Sequence, residues 1–135
     1  MKTKPVLSLA DAQRMLDAAK QYAEANQYAV TIAVADDGGN LLALARLDGA
    51  APLSAHIGPA KAHAAALGRR ETKGFEDMIN QGRTAFVTIP LAQGLLEGGV
   101  PVVVDGQVIG AVGVSGVKAN EDADIARAGI AALGA

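Results

Sequence analysis

The chain has 135 residues, of which half are hydrophobic and only 3% aromatic, with 12 basic and 14 acidic side chains. This length suits one domain over residues 1–135 with a core of small aliphatic side chains. A net charge of −2 and few aromatic rings argue against a nucleic-acid partner, which needs basic and stacking surfaces. The lack of cysteine excludes disulfides and zinc–thiolate sites.

Neither an export signal nor a membrane-spanning stretch is visible in the sequence. Two lysines in residues 1–5 are not followed by the apolar segment that a signal peptide requires. The most hydrophobic stretch, 100–117, is interrupted by Asp105-Gly106-Gln107. We therefore expect a cytoplasmic protein that makes no contact with a membrane.

The first predicted element is a helix over 8–26, because Ser8 is a suitable N-cap and apolar side chains recur at helical spacing after it. Strands are predicted over 28–35 and 41–47, joined by turn-forming residues 36–40. These two strands form a first hairpin.

A second helix follows the loop 49–54, and the sequence leaves its start open. Either Ser54 caps it and Pro59 kinks it, or it begins at Pro59, whose fixed φ suits a first turn. Gly68 marks its end. A short helix is predicted over 72–80, and residues 84–89 have the composition of a strand.

The second hairpin is predicted by Asp105-Gly106, which separates two β-branched stretches. Acidic residues after Asn120 indicate the start of a last helix. The order α-β-β-α-(α)-β-β-α predicts an α+β fold, with an antiparallel sheet flanked by helices.

Gly110, Gly113 and Gly116 precede the last helix at a spacing of three. A dinucleotide site needs G-x-G-x-x-G within a parallel βαβ unit, so this spacing and the antiparallel hairpin argue against one. The remaining interpretations are close packing of the backbone and lining of a ligand or subunit contact.

His56 and His63 are the two histidines of the chain. On one helix they share a face roughly 10 Å apart, too far for both imidazoles to bind one ion. A single histidine is enough to ligate haem iron. Each histidine is therefore either a surface or core-edge residue, or a ligand or proton-transfer group.

Three further polar residues are candidates for a site. Arg46 and Asp48 close the first hairpin, either as an ion pair or as an anion-binding arginine steered by the carboxylate. Lys61 lies within an apolar helical stretch, where it either extends to water or faces a pocket and binds a carboxylate.

These residues also carry a family resemblance, which extends from about residue 8 to 133. The chain resembles the GlcG-like and HbpS-like family, called haem-degrading or haem-binding, which also forms the C-terminal domain of PduO-type proteins. The motifs are Arg46-x-Asp48-Gly49-Ala50, Ser54 with Ala60-Lys61-Ala62, Gly98-Gly99-Val100-Pro101, Asp105-Gly106, the run 109–116, and Asp122 with Ala126-x-Ala128-Gly129.

The resemblance implies a sheet of about five strands, homo-oligomers and, in some members, bound haem. Small residues of the last helix would allow close subunit contact. Ala64 stands where the family often has threonine. The residues expected to bind a ligand are Arg46, His56, Lys61, His63, Gly98, Gly99 and Val100.

Three functions follow as hypotheses. The first is a small-molecule binding protein, with haem as a candidate cofactor, His56 or His63 as its iron ligand, and Arg46, Lys61 or Arg69 for its propionates. The second is a cofactor-independent enzyme acting on a small carboxylate through Lys61, Asp48 and His63. The third is a non-catalytic oligomeric accessory protein. Whether the chain is an enzyme stays open at this point.

Overall fold

The computed structural model describes residues 1–90 and 93–134. In this part of the chain, the predicted α+β order is confirmed. The elements are α1 (Leu9–Ala25), β1 (Thr31–Asp36), β2 (Leu41–Arg46), α2 (Ser54–Gly68), α3 (Thr72–Asn80), a 3₁₀ helix (Thr84–Thr88), β3 (Gly99–Val104), β4 (Gln107–Ser115) and α4 (Ala119–Ala131).

The sheet is antiparallel throughout, and its strands lie in the order β2-β1-β4-β3. Within the described residues it has four strands, one fewer than the resemblance implies. The strand expected over 84–89 is wrong, because local turn bonds form there instead, such as the one from the Phe86 N–H to the Arg83 carbonyl. The Phe86 ring also stacks on Phe75 at 5.3 Å between centroids.

Helices cover both faces of the sheet, because strand side chains alternate between two different layers. Ile32 and Val34 of β1 belong to the large core that α1 and α4 share with the sheet. Ala33 and Ala35 of the same strand pack against α2 through Ala62. The small-residue face of α4 also lies inside the chain, where Gly129 contacts α1.

Helix α2 begins at Ser54 and contains Pro59, which decides between the two predicted starts. Ser54 does not cap the helix. Its Oγ donates to the Ala51 carbonyl at 2.6 Å and accepts from the Thr31 hydroxyl at 2.8 Å. The hydroxyl therefore ties the start of α2 to the central strand β1.

The second hairpin is formed as predicted, with a two-residue loop between β3 and β4. Asp105 and Gly106 have φ of 50° and 74°, the positive values that a type I′ turn requires at both central residues.

Close packing explains the glycines of β4. A Cβ at Gly113 would overlap the Gly58 carbonyl and the Ala62 N–H of α2, and a Cβ at Gly110 would overlap the Ala35 carbonyl. The packing interpretation is therefore confirmed, and it places α2 directly on the sheet. Across residues 1–90 and 93–134, no helix is long and apolar enough to cross a membrane.

Candidate functional site

A cleft of about 410 Å³ lies between α2 and the turn that joins β1 to β2. Both histidines reach it, because the seven residues between them make about two helical turns. Its walls are otherwise mostly aliphatic. The lining residues are Ala35, Gly39, Leu41, His56, Pro59, Ala60, His63 and Gln93.

His63 is held in one orientation by the β1–β2 turn. Its Nδ1 lies 2.8 Å from the Gly39 carbonyl oxygen. Because a carbonyl oxygen only accepts, Nδ1 carries the proton and Nε2 keeps its lone pair. Nε2 has no hydrogen-bond partner among the residues that the structure describes, so it is available to a ligand.

The turn that holds His63 is itself fixed by Asp36. Its Oδ1 accepts from the N–H groups of Gly38 and Asn40, each at 2.9 Å. Gly39 has a φ of 77°, and a Cβ there would lie 2.7 Å from His63 Nδ1. Sequence reasoning treated residues 36–40 only as a turn. The paired glycines were the signal that something approaches it closely.

Lys61 lies elsewhere, in a buried ion pair. Its Nζ donates to the Val114 carbonyl at 2.9 Å and to Asp122 Oδ2 at 3.2 Å, and both charged side chains are at most 4% exposed. The alternative in which Lys61 extends to water is therefore wrong. Its role in ligand binding or catalysis stays a prediction.

Asp122 is the functional-looking residue to which the sequence analysis assigned no role. Burial raises the pKa of its carboxyl above the ordinary value, while the Lys61 charge and the Val117 N–H oppose that rise. The Val117 N–H donates to Oδ1 at 3.1 Å. Asp122 thus joins α2, β4 and the start of α4 at one buried point.

Gly98, Gly99 and Val100 are buried beside this ion pair and do not line the histidine cleft. A Cβ at Gly98 would lie 2.7 Å from Lys61 Nζ. The Gly99 N–H donates to the Thr72 hydroxyl at 2.8 Å. A ligand-binding role for these three residues stays a prediction, and the contacts they make are packing contacts.

Arg46 and Asp48 line a separate cleft of about 490 Å³ between β2 and the end of α1. The ion pair expected between them is not formed in the described chain. The Arg46 guanidinium donates instead to the Ala50 carbonyl, at 3.2 Å from Nε and 2.9 Å from Nη2. Lys20 and Glu24 line the same cleft, so its charges are mixed.

The polar residues proposed for catalysis therefore do not converge. Lys61 is buried against Asp122, Asp48 lies in the cleft of Arg46, and His63 lies in the cleft beside the β1–β2 turn. A general acid or base must reach the same substrate as its partner. This arrangement favours binding over the enzymatic hypothesis.

Comparison with known proteins gives a consistent result. The family model described as haem-degrading protein, HbpS-like, matches residues 7–131. The protein GlcG of Escherichia coli K12 is 63% identical over 115 residues, covering 85% of each chain.

Two solved structures share the fold closely. A double mutant of HbpS from Streptomyces reticuli superposes with a TM-score of 0.90 at 33% identity, covering 100% of this chain and 92% of that one. PduOC, solved as a haem complex, gives a TM-score of 0.87 at 27% identity over 95% of both chains. The similarity thus includes every element that lines the histidine cleft.

Proposed function

The chain belongs to the HbpS-like family, and on this premise we propose that it binds a small molecule of the haem class in the histidine cleft. The observation that carries the proposal is the cleft itself. It combines aliphatic walls with an imidazole whose free nitrogen is held in place by the backbone.

The cleft has the properties of a ligand site. Its volume of about 410 Å³ lies within the range of small-molecule pockets, and such pockets combine apolar walls with a few fixed polar groups. Leu41 and Pro59 supply apolar surface, and His63 supplies the fixed polar group. An aliphatic wall suits a flat hydrophobic ring system because burial removes both surfaces from water.

The donor set also fits haem. A metal-ligating histidine usually donates its other ring N–H to a carbonyl or carboxylate, as His63 does to Gly39. When bound, haem iron supplies a metal centre whose axial position accepts one such imidazole. The haem complex of PduOC adds support from a chain of the same fold.

Cations for the haem propionates are the least complete part of the site. Lys61 is engaged with Asp122, and Arg46 lines the other cleft. Arg69 follows α2 directly, six residues after His63, and its charge acts on Asp37 in the β1–β2 turn. Among the three basic residues considered from the sequence, Arg69 is therefore the one we propose for a propionate.

The test is a hemin titration of two matched variants of β2. Leu41 lines the histidine cleft, whereas Leu44, on the same edge strand, lines a different groove beside α1. We expect Leu41→Glu to lower hemin affinity by at least about tenfold, since losing a buried leucine contact costs roughly 1.5–3 kcal/mol. Leu44→Glu should bind hemin like the unmodified chain.

Two outcomes contradict the proposal. One is a Soret band that hemin does not shift at equimolar protein. The other is equal weakening by Leu41→Glu and Leu44→Glu, which would indicate nonspecific adsorption to apolar surface.

Self-association and a cytoplasmic location also stay part of the proposal. The 3₁₀ helix and its surroundings expose Val87, Ile89 and Leu96 by 61%, 46% and 47%, respectively. An apolar surface of this kind favours a partner. Light scattering after size exclusion tests self-association, and a monomer at micromolar concentration contradicts it.

A further inference from the structure

We propose that His63, and not His56, is the iron ligand of this cleft, and that Gly39 is the positioning residue that sets the His63 tautomer. The inference rests on the proposed function and deepens it. It commits to one atom, Nε2 of His63, and to one second contact, the hydrogen bond from Nδ1 to the Gly39 carbonyl.

The first step is the tautomer. An unrestrained neutral imidazole exchanges its proton between the two nitrogens, whereas a ligand nitrogen must be free of it. The Gly39 carbonyl can only accept, so the 2.8 Å contact fixes the proton on Nδ1. Nε2 is then the lone-pair nitrogen in the ligand-free protein, and no rearrangement is needed on binding.

The second step is the space beside the ring. Gly39 has a φ of 77°, and a side chain there would meet His63 Nδ1 at 2.7 Å and Leu67 Cγ at 3.2 Å. Gly38, its neighbour, differs. A Cβ on Gly38 would meet only the polar side-chain ends of Asn40 at 3.0 Å and Asp36 at 3.4 Å. The two glycines of one turn therefore separate contact with His63 from general effects on the turn.

The third step excludes His56. It is exposed near the start of α2, and the described chain gives its ring no hydrogen-bond partner to fix a tautomer. Because it lies roughly 10 Å along the helix from His63, one iron cannot take both rings from this helix. His56 therefore serves as the matched control for His63.

The tautomer is tested without any added ligand. Nitrogen-15 NMR of the imidazoles at neutral pH should show His63 with a protonated Nδ1 and an unprotonated Nε2. His56 should show the averaged signals of exchanging tautomers. A His63 ring protonated at Nε2 would overturn the positioning role of Gly39, whatever hemin does.

The ligand atom is tested by comparing hemin with metal-free protoporphyrin IX. His63→Ala should weaken hemin at least about tenfold and remove the spectral signature of histidine ligation, while leaving protoporphyrin IX affinity within about twofold. His56→Ala should leave both affinities unchanged. Equal effects of the two histidine variants, or equal losses for both porphyrins in His63→Ala, would overturn the assignment.

The positioning residue is tested by Gly39→Ala against Gly38→Ala. Loss of a second contact to a metal ligand typically lowers metal affinity by about 10–100-fold, so Gly39→Ala should weaken hemin by that factor and Gly38→Ala should not. If His63→Ala is silent but the unmodified chain binds hemin in this cleft, the inference fails and the proposed function stands. If hemin does not bind the unmodified chain, both fail.

Discussion

Replacement of Lys61 by methionine is expected to destabilise the fold strongly. Methionine keeps the apolar stem but removes the charge, so Asp122 is left at 3% exposure without its cation. Breaking one partner of a buried ion pair typically costs about 3–5 kcal/mol, because the remaining charge loses its compensation. For 135 residues this corresponds to a fall in Tm of roughly 10–18 °C.

A matched control is available on the surface. Lys73 pairs with Asp77 at 2.8 Å, but both side chains are about half exposed. Lys73→Met should therefore change the free energy of unfolding by only about 0–0.5 kcal/mol. The measurement is urea unfolding followed by circular dichroism, with the free energy extrapolated to water.

The partner variant completes the cycle. Asp122→Asn removes the other charge, and the double variant Lys61→Met/Asp122→Asn should be less destabilised than the sum of the two single variants. If Lys61→Met unfolds within 1 kcal/mol of the unmodified chain, the account of Lys61 as a buried structural cation is refuted. A ligand-binding role for this lysine would then gain weight.

Three further predictions follow from local geometry. Gly113→Ala should destabilise by at least about 1–3 kcal/mol in urea unfolding because α2 packs on this backbone, whereas Val103→Ala on the exposed edge strand should cost far less. Gly106→Ala should cost about 1–2 kcal/mol in Tm-based measurements, because φ is 74° and no neighbour compensates. The Ser8 N–H holds the pKa of Asp11 below its ordinary value of 3.8; the folded state then binds this proton less readily than the unfolded state, so the stabilisation is complete above that value and lost as pH falls below it. Asp11→Asn should flatten this acidic limb, and an unchanged pH profile would contradict the capping role.

The fold was predictable where the signal was local. Ser8 begins α1 through a capping box, and Asp105-Gly106 forms the two-residue turn that its composition indicates. Both depend on a few neighbouring residues. Residues 84–88 show the limit, since their strand-like composition finds no neighbouring strand and closes local turns instead.

The site was predictable only in part, because its contacts join distant residues. The two histidines were expected on one helix face, and both line one cleft. The partner of Lys61 lies 61 residues away, and the carbonyl that fixes His63 lies 24 residues away on another element. Nothing in the local sequence of α2 distinguishes a lysine paired in the core from one that faces a ligand.

The most direct test of the central claim is anomalous diffraction at the iron edge from crystals of the hemin-loaded protein. We predict a single iron peak in the histidine cleft, about 2 Å from Nε2 of His63, the usual metal–imidazole distance. An iron peak in the cleft of Arg46, at His56, or on a surface outside both clefts would contradict the account.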